Sequence, residues 1–247
     1  MAKGKIWIGT SNVVVPGNKT TFPKEYQHRS RLHYYSQLFN SLEINSSFYK
    51  IPQGSTFGKW NDDVVDDFTF SIKLIKDVTH HKSLQRDDTL ILRFLDAASQ
   101  MQKKGCLLIQ FPGKITLDFY AQVEDILEEL DAADPGRCWR RAVEFRSTSW
   151  YVGETEDMLR HYNATMVLHD IPKSRRILPP DNAPFIYLRY HGPTGNYRDS
   201  YSDEFLKQQA KNIKVWSGKG KDVFAYFNNT MGSAFDNARL LRKLVRE

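Results

Sequence analysis

Cysteine is scarce: Cys106 and Cys138 are the only two in 247 residues. A pair without metal-type spacing excludes a disulfide framework and fits a reducing compartment. No apolar run approaches the ~20 residues that cross a bilayer as a helix. The start, Met1-Ala2-Lys3-Gly4-Lys5, leads into a strand-like run without the apolar stretch of a secretory leader. A cytoplasmic protein without membrane attachment is therefore expected. Linkers, internal repeats and low-complexity tracts are also lacking, so one domain over 1–247 is expected. The first strand-like run is followed by Gly9-Thr10-Ser11-Asn12 and not by Gly-x-Gly-x-x-Gly, which excludes a dinucleotide fingerprint there.

Apolar residues make up 40% of the chain, enough for a substantial core. The formal net charge is +6, which favours anionic partners. The basic residues are dispersed, with only short clusters at Lys173-Ser174-Arg175-Arg176 and Lys219-Gly220-Lys221. A small anionic ligand is therefore preferred to nucleic acid as partner.

Strand-like runs occur at 6–10, 41–49, 68–74, 106–111, 141–146, 165–170, 185–191 and 223–228. Helical patterns lie at 30–40, 89–103, 117–130, 155–161, 201–216 and 234–245, several with apolar residues at 3.6-residue spacing. In 117–130 that stripe is Tyr120, Val123, Ile126, Leu127 and Leu130. Strand alternating with helix implies parallel strands with right-handed crossovers. Eight strands in ~250 residues favour a closed (β/α)8 barrel of the TIM type over an open doubly wound sheet. Residues 171–184 are proline-rich without a helical pattern, so one outer helix is expected to be short or missing after the sixth strand.

Side chains alternate faces along a strand. If the apolar set faces the helices, the inward positions carry Glu43, Asn45, Lys73, Gln110, Glu144, Arg146, Arg189, His191 and Asn228, and the sixth run ends on Asp170. A barrel interior is normally filled with branched apolar residues, and its C-terminal end is where active sites sit. Burying unpaired charge costs several kcal/mol or more, on the order of a whole domain's margin. The set therefore reads as a polar pocket, or else as an ionic network of Glu43, Glu144 and Asp170 with Lys73, Arg146 and Arg189. Asn45, Gln110, Asn228 and Asn229 favour the pocket, because neutral amides suit a ligand better than an ion pair.

Within that pocket Glu144 and Asp170 are acid/base candidates, with His191 beside them. Lys73 is a Schiff-base candidate if burial and Arg146 depress its charge, and otherwise an anion anchor. Arg146 and Arg189 have the fork that grips phosphate or carboxylate. Trp150 joins Glu43, Asn45, Gln110, Asn228 and Asn229 as a substrate-binding candidate, since aromatic residues recur near the same rim. A divalent ion on Glu144, Asp170, His169 and His191 is not favoured, because the interleaved cations already neutralise the carboxylates and no ligand spacing is recognised. Cys106, at a strand start, reads as core.

The strand-end runs resemble one family. They are Gly9-Thr10-Ser11, Glu43-Ile44-Asn45-Ser46-Ser47-Phe48-Tyr49, Phe70-Ser71-Ile72-Lys73, Gln110-Phe111-Pro112, Glu144-Phe145-Arg146 with Ser149-Trp150, Asp170-Ile171-Pro172, Tyr187-Leu188-Arg189-Tyr190-His191-Gly192 and Tyr226-Phe227-Asn228-Asn229-Thr230. Together they resemble the YecE-like family, a domain of unknown function, over nearly the whole chain. The resemblance implies a TIM-type barrel and supplies no reaction. The chain departs from it after the first strand: the family's Gly-Thr-Ser-Gly-aromatic and Trp-x-Gly-x-Phe-Tyr-Pro pattern survives in 12–23 only as Phe22-Pro23. The functional expectation is an enzyme, a hydrolase, lyase or isomerase, acting on a small anionic or polyhydroxylated substrate. The competing readings are a nucleic-acid-binding or -processing protein and a non-catalytic sensor of a small ligand.

Overall fold

A computed structural model describes residues 2–180 and 182–247. The strands are β1 (Ile6–Thr10), β2 (Ser41–Ile44), β3 (Thr69–Lys73), β4 (Lys104–Phe111), β5 (Arg140–Phe145), β6 (Ala164–Met166), β7 (Leu168–His169), β8 (Ile186–Tyr190) and β9 (Val223–Phe227). All of their pairings are parallel. β6 and β7 are two halves of one strand broken at Val167: β6 pairs with β5 and β7 with β8. That strand joins the sheet β2-β3-β4-β5-β6 to the sheet β7-β8-β9-β1. The result is the eight-stranded ring of a TIM-type barrel.

The remaining seam, between β1 and β2, is sewn mainly by side chains. Asn40 Nδ2 donates to the Ile6 carbonyl at 2.8 Å, and its Oδ1 accepts from Ile8 N at 3.0 Å. The Tyr35 hydroxyl accepts from Thr10 N at 2.8 Å and donates to the Ser41 carbonyl at 3.0 Å. At the top of the seam Asn12 N donates to the Glu43 carbonyl at 2.8 Å. Gly9 is required at this approach: a Cβ there would lie 1.9 Å from Ser41 O.

The helices are α1 (Arg31–Leu38), α2 (Gly54–Asp62), α3 (Lys76–Thr79), α4 (Leu90–Ala98), α5 (Tyr120–Ala133), α6 (Gly153–His161), α7 (Asp203–Gly218) and α8 (Ala234–Arg246). The α5 stripe buries Val123, Ile126, Leu127 and Leu130. Ser30 and Ser202 cap α1 and α7, accepting from His33 N and Phe205 N. Among the described residues no α-helix lies between β7 and β8; a single 3-10 turn at Pro172–Ser174 stands in its place. Among the described residues no helix is long and apolar enough to cross a membrane.

Three sequence expectations need correction, and one helix was not expected. The second strand stops at Ile44, because the chain turns into a 3-10 helix at Ser46–Phe48. The sixth breaks at Val167, where the chain passes from one neighbour to the other. The helix expected at 89–103 ends at Ala98. Helix α2 had no strong sequence signal: it opens on Gly-Ser-Thr and buries only Phe57, so packing and not propensity holds it.

Two apolar layers result. Leu42, Phe70, Ile72, Leu107, Ile109, Val143, Ile186, Leu188 and Ala225 pack outward under the helices. Cys106, Leu108, Ala142, Val167, Phe185, Tyr187, Phe224 and Tyr226 fill the barrel, with Trp7 stacked on Phe224 at 4.4 Å. Polarity rises along the barrel axis: the inward series of β8 runs Phe185, Tyr187, Arg189, His191. Midway up, the Tyr226 hydroxyl bonds Ser41 Oγ at 2.6 Å and Ser71 Oγ at 2.9 Å.

Candidate functional site

Above that hydroxyl layer the barrel closes over an ionic chain. Arg189 is fully buried and points a different edge at each of two carboxylates. Its Nε and Nη2 donate to Glu43 at 2.9 and 2.8 Å, and its Nη1 donates to Glu144 Oε2 at 2.7 Å. Glu43 also accepts from Ser11 Oγ at 2.6 Å and from the Tyr187 hydroxyl at 2.7 Å. The other oxygen of Glu144 accepts from Arg146 Nε. Two buried carboxylates thus meet two guanidiniums and several further donors, as stable burial requires. Burial works against the Glu144 charge, but Arg146 and Arg189 overcome it and hold the carboxyl well below the usual range; Glu43 is lowered likewise by Arg189.

His191 sits against the same guanidiniums. Its Nε2 lies 3.2 Å from Arg146 Nη2 and 3.3 Å from Arg189 Nη1, and both of these are donors, so Nε2 accepts. The proton of a neutral ring is then on Nδ1, 3.4 Å from Asp170 Oδ1. Burial, aided by Arg189, pushes the imidazole down to about 4. Asp170 is itself held by the His191 backbone N–H at 2.9 Å and by the Tyr201 hydroxyl, which in turn accepts from Gly192 N at 2.6 Å.

Over this chain opens a cavity of about 750 Å³, lined by Asn12, Asn45, Lys73, Gln110, Arg146, Arg189, Asn228 and the rings of Phe48, Tyr49 and Tyr197, among others. Among the described residues no carboxylate lines it. Lys73, the last residue of β3, donates to Gln110 Oε1 at 2.9 Å and lies 3.9 Å from the centroid of the Phe48 ring. Burial, with Arg189 and Arg146 nearby, pushes its amine down from 10.5 to about 7, against the pull of Glu144 and Glu43. The Asn45 amide oxygen is buried without a hydrogen-bond partner.

The sequence candidates therefore separate. Lys73, Asn45, Gln110, Arg146, Arg189 and Asn228 reach the cavity. Glu43, Glu144 and His191 lie beneath it, fully buried. Asp170 borders a different cavity, between β7, β8 and α7. Asn229 is buried and donates to the Asp199 carbonyl at 2.9 Å and to Asn237 Oδ1 at 3.0 Å, tying a loop to α8. Trp150 does not meet the site: it stacks on Phe145 at 4.4 Å, and its Nε1 donates to the Ile115 carbonyl at 2.8 Å, outside the strand ring. The ionic network expected from the sequence also differs in membership, because Lys73 takes an amide partner and Asp170 a histidine and a tyrosine. Sequence reasoning missed Ser11 and Tyr201 as partners of Glu43 and Asp170. Their only signal is spatial, since 32 and 31 residues separate the pairs. Among the described residues no group of three or more His, Cys, Asp or Glu is placed to hold a metal ion.

The lysine has an energetic signature. Its folded pKa is depressed, so the cost of its charge builds as the pH falls from 10.5 to about 7 and is full below that. Lys73→Met is expected to stabilise the fold by on the order of 2 kcal/mol at neutral pH. The gain should shrink as the pH rises towards 10.5, as urea midpoints across that range will report. Destabilisation at every pH would contradict it.

Comparison with known proteins gives a consistent picture. The family described as "Protein of unknown function DUF72" matches residues 7–247. The UPF0759 protein YecE of Escherichia coli (strain K12) is 29% identical over 79 residues, 32% of this chain; the matched stretch spans 29% of that relative's length. The UPF0759 protein YunF of Bacillus subtilis (strain 168) is 23% identical over 261 residues, covering 91% of this chain and 89% of that protein. The crystal structure of a DUF72 family protein from Thermotoga maritima MSB8 superposes with a TM-score of 0.77 at 26% identity, covering 98% of this chain and 100% of that one. A DUF72 family protein from Enterococcus faecalis V583, at 19% identity and TM-score 0.77 with 100% of both chains covered, shares the fold. With the family match and the shared fold both running from the first strand to the last helix, the chain belongs to the DUF72 family.

Proposed function

We propose that this protein is an enzyme acting on a small anionic substrate held at the C-terminal ends of the barrel strands. The observation that carries the reading is the sign of the cavity wall. Its charged side chains are Lys73, Arg146 and Arg189, while the carboxylates lie below and are held by the arginines. Such a wall attracts phosphate or carboxylate. Asn45, Gln110 and Asn228 supply neutral hydrogen-bonding groups for hydroxyls of the same substrate, and the partnerless Asn45 oxygen is a feature a ligand donor would complete. A volume of about 750 Å³ suits a metabolite-sized ligand.

In this reading Lys73 is the group that meets the substrate's reacting atoms, because an amine that titrates near neutrality can act there in its uncharged form. Glu144 stays ionised and fixes two arginines; Asp170 orients His191. Lyase or isomerase chemistry fits this arrangement better than hydrolysis by a carboxylate pair, since neither buried carboxylate is free to exchange a proton.

A thermal-shift panel of inorganic phosphate, sugar phosphates, nucleotides and short oligonucleotides tests the reading. A ligand at 100 times its Kd adds ~2.7 kcal/mol. The expected result is a rise in Tm with phosphorylated small molecules that is lost in Arg146→Ala. A rise with oligonucleotides alone, falling steeply with salt, would move binding to the basic surface and overturn the proposal. So would the absence of any shift.

A further inference from the structure

We infer that Lys73 forms a Schiff base with an aldehyde or ketone that carries a phosphate or carboxylate group. The inference rests on the anionic-substrate reading and names its substrate class. Three observations support it. First, Lys73 has no carboxylate partner among the described residues. Glu43 and Glu144 are held by Arg189 and Arg146, and the amine bonds only the neutral Gln110 amide. A lysine serving as a structural charge would be paired, whereas a nucleophilic amine must shed its proton. Second, two guanidiniums line the same cavity. They disfavour the ammonium form, and Arg146, whose Nε and Nη2 face Glu144 and His191, keeps Nη1 for an anionic group while Arg189 holds the carboxylates below, so anchoring leaves the amine free for another task. Third, the amine stands at the end of a strand in the barrel wall, with Phe48 against it, so its position is fixed by the scaffold. The charged groups facing it are Arg146, Arg189, Glu43 and Glu144; His80, pushed down to about 4 chiefly by burial, flanks it as a neutral ring.

The step balances without a redox partner. The neutral amine adds to the carbonyl carbon, forming a C–N bond and, after proton transfer from nitrogen to oxygen, a carbinolamine. Protonation of that hydroxyl breaks the C–O bond and releases water, leaving a protonated imine. The sum is amine plus carbonyl plus one proton giving iminium plus water. The iminium then draws electrons from the adjacent carbon, which suits the lyase or isomerase chemistry proposed above.

Reductive trapping tests this directly. The protein is incubated with glyceraldehyde 3-phosphate, dihydroxyacetone phosphate or pyruvate in the presence of cyanoborohydride, which delivers hydride to the iminium carbon and fixes the adduct as a secondary amine. Intact mass and peptide mapping then locate it. The phosphate and carboxylate probes separate the two sources of negative charge. The expected result is one adduct on Lys73 with at least one probe, suppressed by excess inorganic phosphate. Its yield should rise as the pH passes through about 7. Uncharged glyceraldehyde should label Lys73 roughly tenfold less, since it lacks the anchored group. Lys73→Arg should lose the adduct; if that variant misfolds, the wild-type peptide map decides alone. Labelling spread over surface lysines with Lys73 unmodified overturns the Schiff base. If phosphate and sugar phosphates still raise Tm in that case, the anionic-substrate reading survives; if they do not, both fall.

Discussion

Arg189→Met is expected to lower folding stability by about 3–5 kcal/mol, the cost of leaving a buried carboxylate without its cation. Arg189 is the shared partner of Glu43 and Glu144, and all three side chains are at most 1% exposed. Removing it leaves Glu144 with Arg146, but Glu43 keeps only the hydroxyls of Ser11 and Tyr187. Methionine occupies a similar path without the charge, so the effect is electrostatic more than a cavity effect. The urea midpoint should fall with an unchanged m-value. The pH dependence carries the diagnostic sign. In the native protein the Glu43 pKa lies below its ordinary 4.5, so its stabilisation is present above that value and is lost as the pH falls through the folded pKa. In the variant burial acts unopposed and raises the folded pKa, so the deficit should narrow on acidification. Arg189→Met with Glu43→Gln should recover much of the loss. A single-variant loss below about 1 kcal/mol would mean that the chain is hydrated and not buried.

Acid should destabilise the native protein before its carboxylates titrate. Buried His191 is pushed from 6.5 to about 4, chiefly by burial and then by Arg189 and Arg146, against the opposing pull of Asp170 and Glu144. Its folded pKa lies below its unfolded one, so the unfolded chain takes up the proton first. Stability is then complete above 6.5 and declines as the pH falls from there to about 4. That displacement from 6.5 to about 4 corresponds to on the order of 3 kcal/mol. Half-exposed His80 adds a smaller loss over the same range. His191→Gln offers an amide oxygen to the two guanidiniums and cannot titrate. Its urea midpoint should fall less steeply over that window than the native protein's, the remaining slope coming from His80 and His169. An equal acid slope in the two proteins would remove His191 from the account.

The inward set on β2, β3, β4, β5, β8 and β9 follows from alternation alone, because an apolar residue at every second position has only one face to bury. That no α-helix lies between β7 and β8 among the described residues follows from Pro179, Pro180 and Pro184, which remove backbone donors in a short span. The strand-end runs carry the family and hence the barrel.

Pairing is a different matter. Alternation puts Arg189 inside, but only the closed ring places it between Glu43, 146 residues away, and Glu144, 45 residues away. Trp150 shares a run with Arg146, yet a 3-10 turn at Thr148–Trp150 carries it outside the strand ring onto Phe145. Lys73 looked like an ion-pair partner, but the neighbouring strand β4 offers it Gln110 instead. The number of strand positions in the ring, most of their buried faces and the polar character of the barrel's upper end are legible in the chain, because these depend on local periodicity. Which charges neutralise each other and which cations face the cavity come from the folded ring, because side chains far apart in the chain meet only when strand order and barrel closure set their distances.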